Sequence, residues 1–159
     1  MNIIQSGITN KTASIAIIIS RFNQFINNHL LSGALDTLTR VGQIQKENIL
    51  KIYVPGTYEI PIIAKYIAKY KKYNAIIAIG TIIKGSTDHF KYIASDTYNN
   101  LSKISMKYFI PITLGILTTK NLEQSIERSG LKMGNKGSEA ALAALEMINI
   151  IEKLKKDND

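Results

Sequence analysis

The sequence predicts an α/β fold: a four-stranded parallel sheet flanked by helices on both faces, with a short extra strand near the N-terminus. Three observations predict it. Residues 14–20 and 75–83 are almost unbroken apolar runs, as strands covered on both faces are. Two further runs, 49–54 and 110–117, have strand length. Each run is followed by apolar residues at helical spacing, and alternation of this kind calls for right-handed crossovers between parallel strands. The 159 residues suit one domain, 1–159, in which residues 1–12 are a polar N-terminal arm.

The elements follow in order. The first strand, 14–20, reads Ser-Ile-Ala-Ile-Ile-Ile-Ser and ends in the turn Arg21-Phe22-Asn23. Leu31, Ala34, Leu35 and Leu38 then form an i, i+3, i+4, i+7 stripe, which stops near Val41 and Gly42. After the second strand, Pro55-Gly56-Thr57 punctuates the chain. Ile60, Ile63, Ala64 and Ile67 form the next stripe, with Pro61 in the first turn, where its missing N–H is harmless. The third strand empties into Lys84-Gly85-Ser86-Thr87-Asp88-His89, and a helix starts at about Phe90 with Ile93, Thr97, Leu101 and Ile104 on its buried side. Pro111 near the start of the fourth strand suits a sheet edge. Thr118 and Thr119 are expected to cap a short helix around Leu122 and Ile126, with Glu123 near its positive end. A glycine-rich connection, 130–137, leads to a last helix over about 135–155 carrying Ala141, Leu145 and Ile148, and residues 157–159 fray.

Bulk properties narrow the function classes. The absence of Cys excludes disulfides and thiolate metal sites, and two distant His residues make a poor metal set. The start lacks a basic stretch followed by an apolar core, so no signal peptide is expected. No apolar run approaches the roughly 20 residues of a membrane span, so a soluble cytoplasmic protein with no membrane partner is expected. The net charge of +8 comes mostly from scattered Lys, as in Lys69-Tyr70-Lys71-Lys72-Tyr73, which reads as a solvated surface rather than a nucleic-acid patch.

In a parallel sheet all strand C-termini lie along one edge, where open α/β sheets place their ligands. Fold logic therefore gathers Phe22, Glu59, Lys84, Ser86, Thr87 and His89 near one crevice. Gly85, Ser86 and Thr87 precede a helix and could seat an anion such as phosphate, or could be an ordinary N-cap turn. Neither a Walker A motif nor a dinucleotide glycine fingerprint is present. His89 suits proton transfer near neutral pH, although a lone His in a turn is often inert; His29 reads as a surface residue. Phe22 could stack on a flat ligand or plug the strand end, and Glu59 could bind hydroxyls or favour its helix start. Arg128, one of three Arg, could hold a phosphate with two hydrogen bonds or lie on the surface. Lys136 and Glu139 could pair at the start of the last helix.

Six stretches, in order, carry a resemblance. They are Ser20-Arg21-Phe22-Asn23; Val54-Pro55-Gly56-Thr57-Tyr58-Glu59-Ile60-Pro61; the run from Gly80 through Lys84-Gly85-Ser86-Thr87-Asp88-His89 to Phe90; Gly115-Ile116-Leu117-Thr118-Thr119; the run from Glu123 to Gly130; and Gly134-Asn135-Lys136-Gly137-Ser138-Glu139-Ala140-Ala141. Together they resemble the lumazine synthase family of riboflavin biosynthesis, over nearly the whole chain. The resemblance implies a flavodoxin-like three-layer sandwich and a reaction between two small-molecule substrates. 5-Amino-6-(D-ribitylamino)uracil condenses with 3,4-dihydroxy-2-butanone 4-phosphate, releasing phosphate and water, without metal or cofactor. Schiff-base formation, phosphate elimination and ring closure need chiefly orientation, since both reactants are activated.

The resemblance also implies roles. Phe22 stacks on the pyrimidine; Thr57, Tyr58 and Glu59 hold the ribityl side; Thr81, Ile82 and Ile83 line the ring through their backbone. Ser86, Thr87 and Arg128 bind the phosphate, and His89 moves protons. Arg128, Lys136 and the residue at 114 come from a neighbouring chain, because the family site lies between subunits of a pentamer. Two positions depart from the family pattern: Leu114 stands where Phe is common, and Lys84 where Arg is common. The compact 130–137 connection resembles that of family members assembled into 60-subunit icosahedral shells, so a shell of pentamers is expected. Riboflavin synthase is the partner such a shell could enclose. The main rival is a relative that holds lumazine or flavin without efficient turnover, prompted by Leu114; a flavodoxin-like electron carrier would not explain the site matches.

Overall fold

Isoleucine-rich runs with no polar face must be covered on both sides, and two of them form the centre of the sheet. In the computed structural model, which describes residues 1–130, 132 and 134–158, β1 (Ile15–Ser20) and β3 (Ala75–Ile83) are adjacent and flanked by β2 (Ile49–Val54) and β4 (Ile112–Thr119). The order is β2-β1-β3-β4 and every pairing is parallel. All of β1 is buried, whereas the edge strand β2 has exposed residues, Lys51 and Tyr53.

The two-residue repeat of a strand divides the core in two. Ile15, Ile17, Ile19, Ile77 and Ile79 face α1 (Gln24–Asp36) and a later helix, α5 (Lys136–Lys156), meeting Leu30, Ala34, Ala141 and Leu145. Ala16, Ile18, Ile76 and Ala78 face α2 (Ile60–Tyr70) and α3 (His89–Tyr108), meeting Ala64, Ile67, Leu101 and Ile104. Thus α1 leaves β1 on one face while α3 leaves β3 on the other. The gap between those two strand ends is the switch point of the sheet.

Several boundaries differ from the sequence reading. The helix after β1 reaches Gly42 as expected, but it widens to a π turn at Thr37–Val41, where the Thr39 hydroxyl donates to the Leu35 carbonyl at 2.8 Å. β4 lies two residues later than expected. Phe109 takes a left-handed conformation (φ 54°), and Ile110 N–H donates to Ser105 O while the Ser105 hydroxyl donates to Ile110 O, so these residues close α3. Pro111 therefore precedes the edge strand, and its carbonyl accepts from Ile76 N–H. At the other end Thr118 and Thr119 pair with Ile82 and Ile83, so they extend β4 and do not cap the next helix. Asn121 caps α4 (Leu122–Glu127), its side chain accepting from Gln124 N–H at 2.9 Å.

Among the described residues the ladders of the sheet begin at Ile15, and none of them takes in the arm before it. The arm is instead held against α5. Asn10 donates to Asn149 Oδ1 at 2.8 Å, and Asn149 donates to the carbonyls of Gly7 and Thr9. Of the expected 130–137 connection, Leu131 and Met133 lie outside the described residues, as does Asp159 of the frayed end. Among the described residues no helix is long and apolar enough to cross a membrane.

Candidate active site

The turn after β1 is pinned from three sides. Arg21 N–H donates to Val54 O and Phe22 N–H to Pro55 O, which carries the β1–β2 contact past the strand ends. Asn23 adopts φ 62°, a left-handed conformation that Asn tolerates better than most residues, and its carbonyl accepts from Ile26 and Asn27 N–H. Its side chain donates to Thr81 O at 2.8 Å. Asn27, fully buried in α1, donates to Ser20 O and Phe22 O and accepts from the Thr81 hydroxyl. The Phe22 ring is left 71% exposed at the end of this scaffold.

After β2, a 3₁₀ turn, Thr57–Glu59, brings Thr57 under β3. A Cβ at Gly80 would stand 2.8 Å from Thr57 Oγ1, so glycine is what lets the turn approach the strand. Glu59 folds back over Gly56, where an added Cβ would lie 2.9 Å from its Oε2. Beyond β3, Lys84 N–H makes a final bond to Thr119 O. Ser86, Thr87 and His89 are then exposed, and the Thr87 hydroxyl accepts weakly from His89 N–H at 3.4 Å. His89 is the first residue of α3, one residue earlier than the expected helix start.

These pieces enclose an open cleft of about 920 Å³ at the switch point. Phe22, Thr57, Tyr58, Glu59, Thr81, Ile82, Ile83, Thr87 and His89 all line it. Ser86 sits beside it but does not line it. Four residues the sequence reading missed also line the cleft: Tyr92, Ser95, Asp96 and Asn99. They occupy i, i+3, i+4 and i+7 of α3, a polar stripe that reads from sequence as a solvent face. Asn23, which in the sequence belongs to the turn after the first strand and to the first of the resembling stretches, lines the cleft as well.

Arg128 and Lys136 are elsewhere. They line a separate cavity of about 300 Å³ with Ile116, Leu117, Thr118 and Glu139, against β4. Lys136 lies 3.5 Å from Glu139, an exposed pair, as the spacing suggested. A bridge between Ser129 and Asn135 ties Arg128 to the start of α5, and Lys136 N–H donates to Arg128 O. Leu114 lines neither cavity; it is half-buried against the α2 and α3 side of the sheet. His29 is exposed, with its ring edge-on to Phe25. Among the described residues no group of three His, Asp or Glu side chains is placed to hold a metal ion.

A cleft of this size at the switch point, mixing aromatic rings, hydroxyls, a carboxylate and an imidazole, defines an α/β protein that acts on a small polar molecule. The sequence model of the family described as 6,7-dimethyl-8-ribityllumazine synthase matches residues 12–152. The chain is 79% identical over 159 residues to the 6,7-dimethyl-8-ribityllumazine synthase of Buchnera aphidicola subsp. Schizaphis graminum (strain Sg), covering all of both chains. It is 62% identical to that of Buchnera aphidicola subsp. Baizongia pistaciae (strain Bp), covering 97% of this chain and 98% of the relative. It is 50% identical to that of Yersinia pestis (strain Pestoides F), covering 98% and 99%. The chain belongs to the 6,7-dimethyl-8-ribityllumazine synthase family and is an enzyme, a transferase of riboflavin biosynthesis.

Proposed function

We propose that this chain condenses 5-amino-6-(D-ribitylamino)uracil with 3,4-dihydroxy-2-butanone 4-phosphate to give 6,7-dimethyl-8-ribityllumazine, phosphate and two waters. One observation carries the reading. Three of the six stretches that resemble the family, distant in sequence, converge on one cleft: Phe22 from after β1, Thr57–Glu59 from after β2, and Thr81, Ile82, Ile83, Thr87 and His89 from the end of β3 onward. The pyrimidine lies between the Phe22 ring and the backbone of Thr81, Ile82 and Ile83, with its ribityl chain toward Thr57, Tyr58 and Glu59. The 5-amino group attacks the ketone and water leaves, forming an imine. Loss of a proton from the adjacent carbon expels phosphate, and His89 handles that proton. The enol left behind takes up a proton at its terminal carbon and becomes a methyl ketone; the ribitylamino nitrogen then closes the ring onto this new carbonyl, and the second water leaves.

Ser86 and Thr87 seat the phosphate together with Arg128 of a neighbouring copy, and Lys136 and Leu114 of that copy complete the pyrimidine side. Two features support a shared site. No residue lines both cavities, so Thr87 and Arg128 of one chain sit in separate hollows. Phe22, Tyr58 and Tyr92 stand 71%, 61% and 73% exposed at the first cleft, an aromatic rim that a second surface would cover. Pentamers assembled into a 60-subunit shell fit this reading, with residues 1–159 as one domain, 1–12 as its arm, the cytoplasm as its compartment, and riboflavin synthase as the enclosed partner. The test is direct: incubate the pure protein with both substrates and follow lumazine absorbance and phosphate release. A rate no greater than the spontaneous condensation refutes the proposal, and tight flavin binding without turnover would favour a binding protein instead.

A further inference from the structure

Asn27 is a polar residue on the apolar stripe of α1, between Ile26 and Leu30, and none of its surface is exposed. A buried amide is unfavourable unless each polar atom finds a partner. Here all do. Both N–H groups are spent on the exit of β1, donating to Ser20 O at 2.7 Å and Phe22 O at 2.8 Å. The oxygen accepts from the Thr81 hydroxyl of β3 at 2.6 Å. Two carbonyls can be met only by the amide nitrogen, so this orientation of the side chain is the one the network requires. A leucine would fill the same space in the core without any of these bonds. What the amide adds is a fixed span between two strand ends, which among the described residues are otherwise tied by a side chain only through Asn23 to Thr81 O.

We propose that Asn27 is a positioning residue for the pyrimidine: it sets the gap between the Phe22 ring and the end of β3. The inference rests on the reading that this cleft takes the pyrimidine substrate. Asn27 touches no ligand itself, since it does not line the cleft; it acts through Phe22 and Thr81.

Asn27→Asp keeps the shape and removes at least one of the two donors, since a carboxyl group carries at most one O–H. Thr81→Val keeps the shape and removes the third bond, while Thr81→Ser retains it. The readouts are KM for each substrate, calorimetric binding of 6,7-dimethyl-8-ribityllumazine, and thermal unfolding. Asn27→Asp and Thr81→Val should each raise the lumazine Kd and the pyrimidine KM about tenfold, the loss that one net hydrogen bond can carry. The KM for butanone phosphate should not move, and Thr81→Ser, which keeps the hydroxyl, should lose less lumazine affinity than Thr81→Val. A purely structural role would lower the unfolding temperature and leave Kd and both KM values alone, and that result overturns the inference. If Asn27→Asp does not fold, Thr81→Val decides: an unchanged lumazine Kd overturns the inference. A wild type that turns over while these variants bind normally refutes this proposal alone. A wild type that neither turns over nor binds lumazine refutes the functional reading and this one with it.

Discussion

Gly33 inside α1 and Asn135 before α5 are a matched pair, and a substitution at one should change sign according to the other. A Cβ at Gly33 would stand 2.5 Å from Asn135 Cγ and Nδ2 and 2.6 Å from its Oδ1. Gly33→Ala must therefore drive that side chain away. With it go the bonds to His29 O (2.9 Å) and Ser129 O (3.0 Å) and the capping bond from Ser138 N–H (3.1 Å). Three bonds at about 0.5–1.5 kcal/mol each give a loss of about 1.5–4.5 kcal/mol. Alanine in place of glycine in a helix returns about 1 kcal/mol, leaving a net destabilisation of about 0.5–3.5 kcal/mol. In an Asn135→Gly background there is no amide to displace, so Gly33→Ala should stabilise by about 1 kcal/mol. The assay is urea unfolding of all four proteins at one protein concentration, since assembly would add to apparent stability. Equal effects of Gly33→Ala in the two backgrounds would refute the reasoning, because residues that share a contact should couple.

Three further outcomes are expected. His89→Ala should lower kcat by about 10²-fold, the low end for a general acid–base group, with both KM values unchanged; an unaltered kcat removes its assigned role. Arg128→Ala should raise KM for the butanone phosphate by about 10- to 100-fold, the loss of a charge-assisted bond, and spare the pyrimidine KM; equal KM values for the phosphate substrate count against its assignment. Sedimentation velocity should show particles far larger than pentamers, and pentamers alone would defeat the shell.

The parts of the fold that were legible in the sequence are those whose burial leaves a one-dimensional trace. β3 is buried at every position but its last, so its limits could be read to the residue. β4 could not, because its end is decided by a ladder with Ile82 and Ile83, a contact across the chain, and its start by Ser105 and Phe109 closing α3, a local turn that the apolar run hides. The same ladder takes Thr118 and Thr119 and leaves the cap to Asn121. At the site, the parallel sheet made the convergence of Phe22, Glu59, Thr87 and His89 predictable before any resemblance was drawn. Asn27 carried a usable signal, a single amide within the apolar stripe Ile26, Leu30, Leu31 and Ala34. The α3 stripe of Tyr92, Ser95, Asp96 and Asn99 carried a misleading one, since a polar face looks the same toward a cleft as toward water.

The separation of the two cavities constrains how copies can meet. β4 is an edge strand, and its residues Ile116, Leu117 and Thr118 share a cavity with Arg128 and Lys136. The aromatic rim of Phe22, Tyr58 and Tyr92 belongs to the other cavity. In a two-fold dimer residue i of one copy meets residue j of the other and j meets i, so Arg128 reaches Thr87 there only if both patches lie on one contact surface. On separate surfaces, the proposed phosphate seat would be completed by the first patch of one copy meeting the second patch of the next, a head-to-tail contact. Such contacts repeat until they close into a ring or run on as a filament. With the two patches on separate surfaces, a ring is the smallest assembly that would give every copy the whole proposed site. An active monomer in solution would contradict both the shared site and the assignment of Arg128 to it.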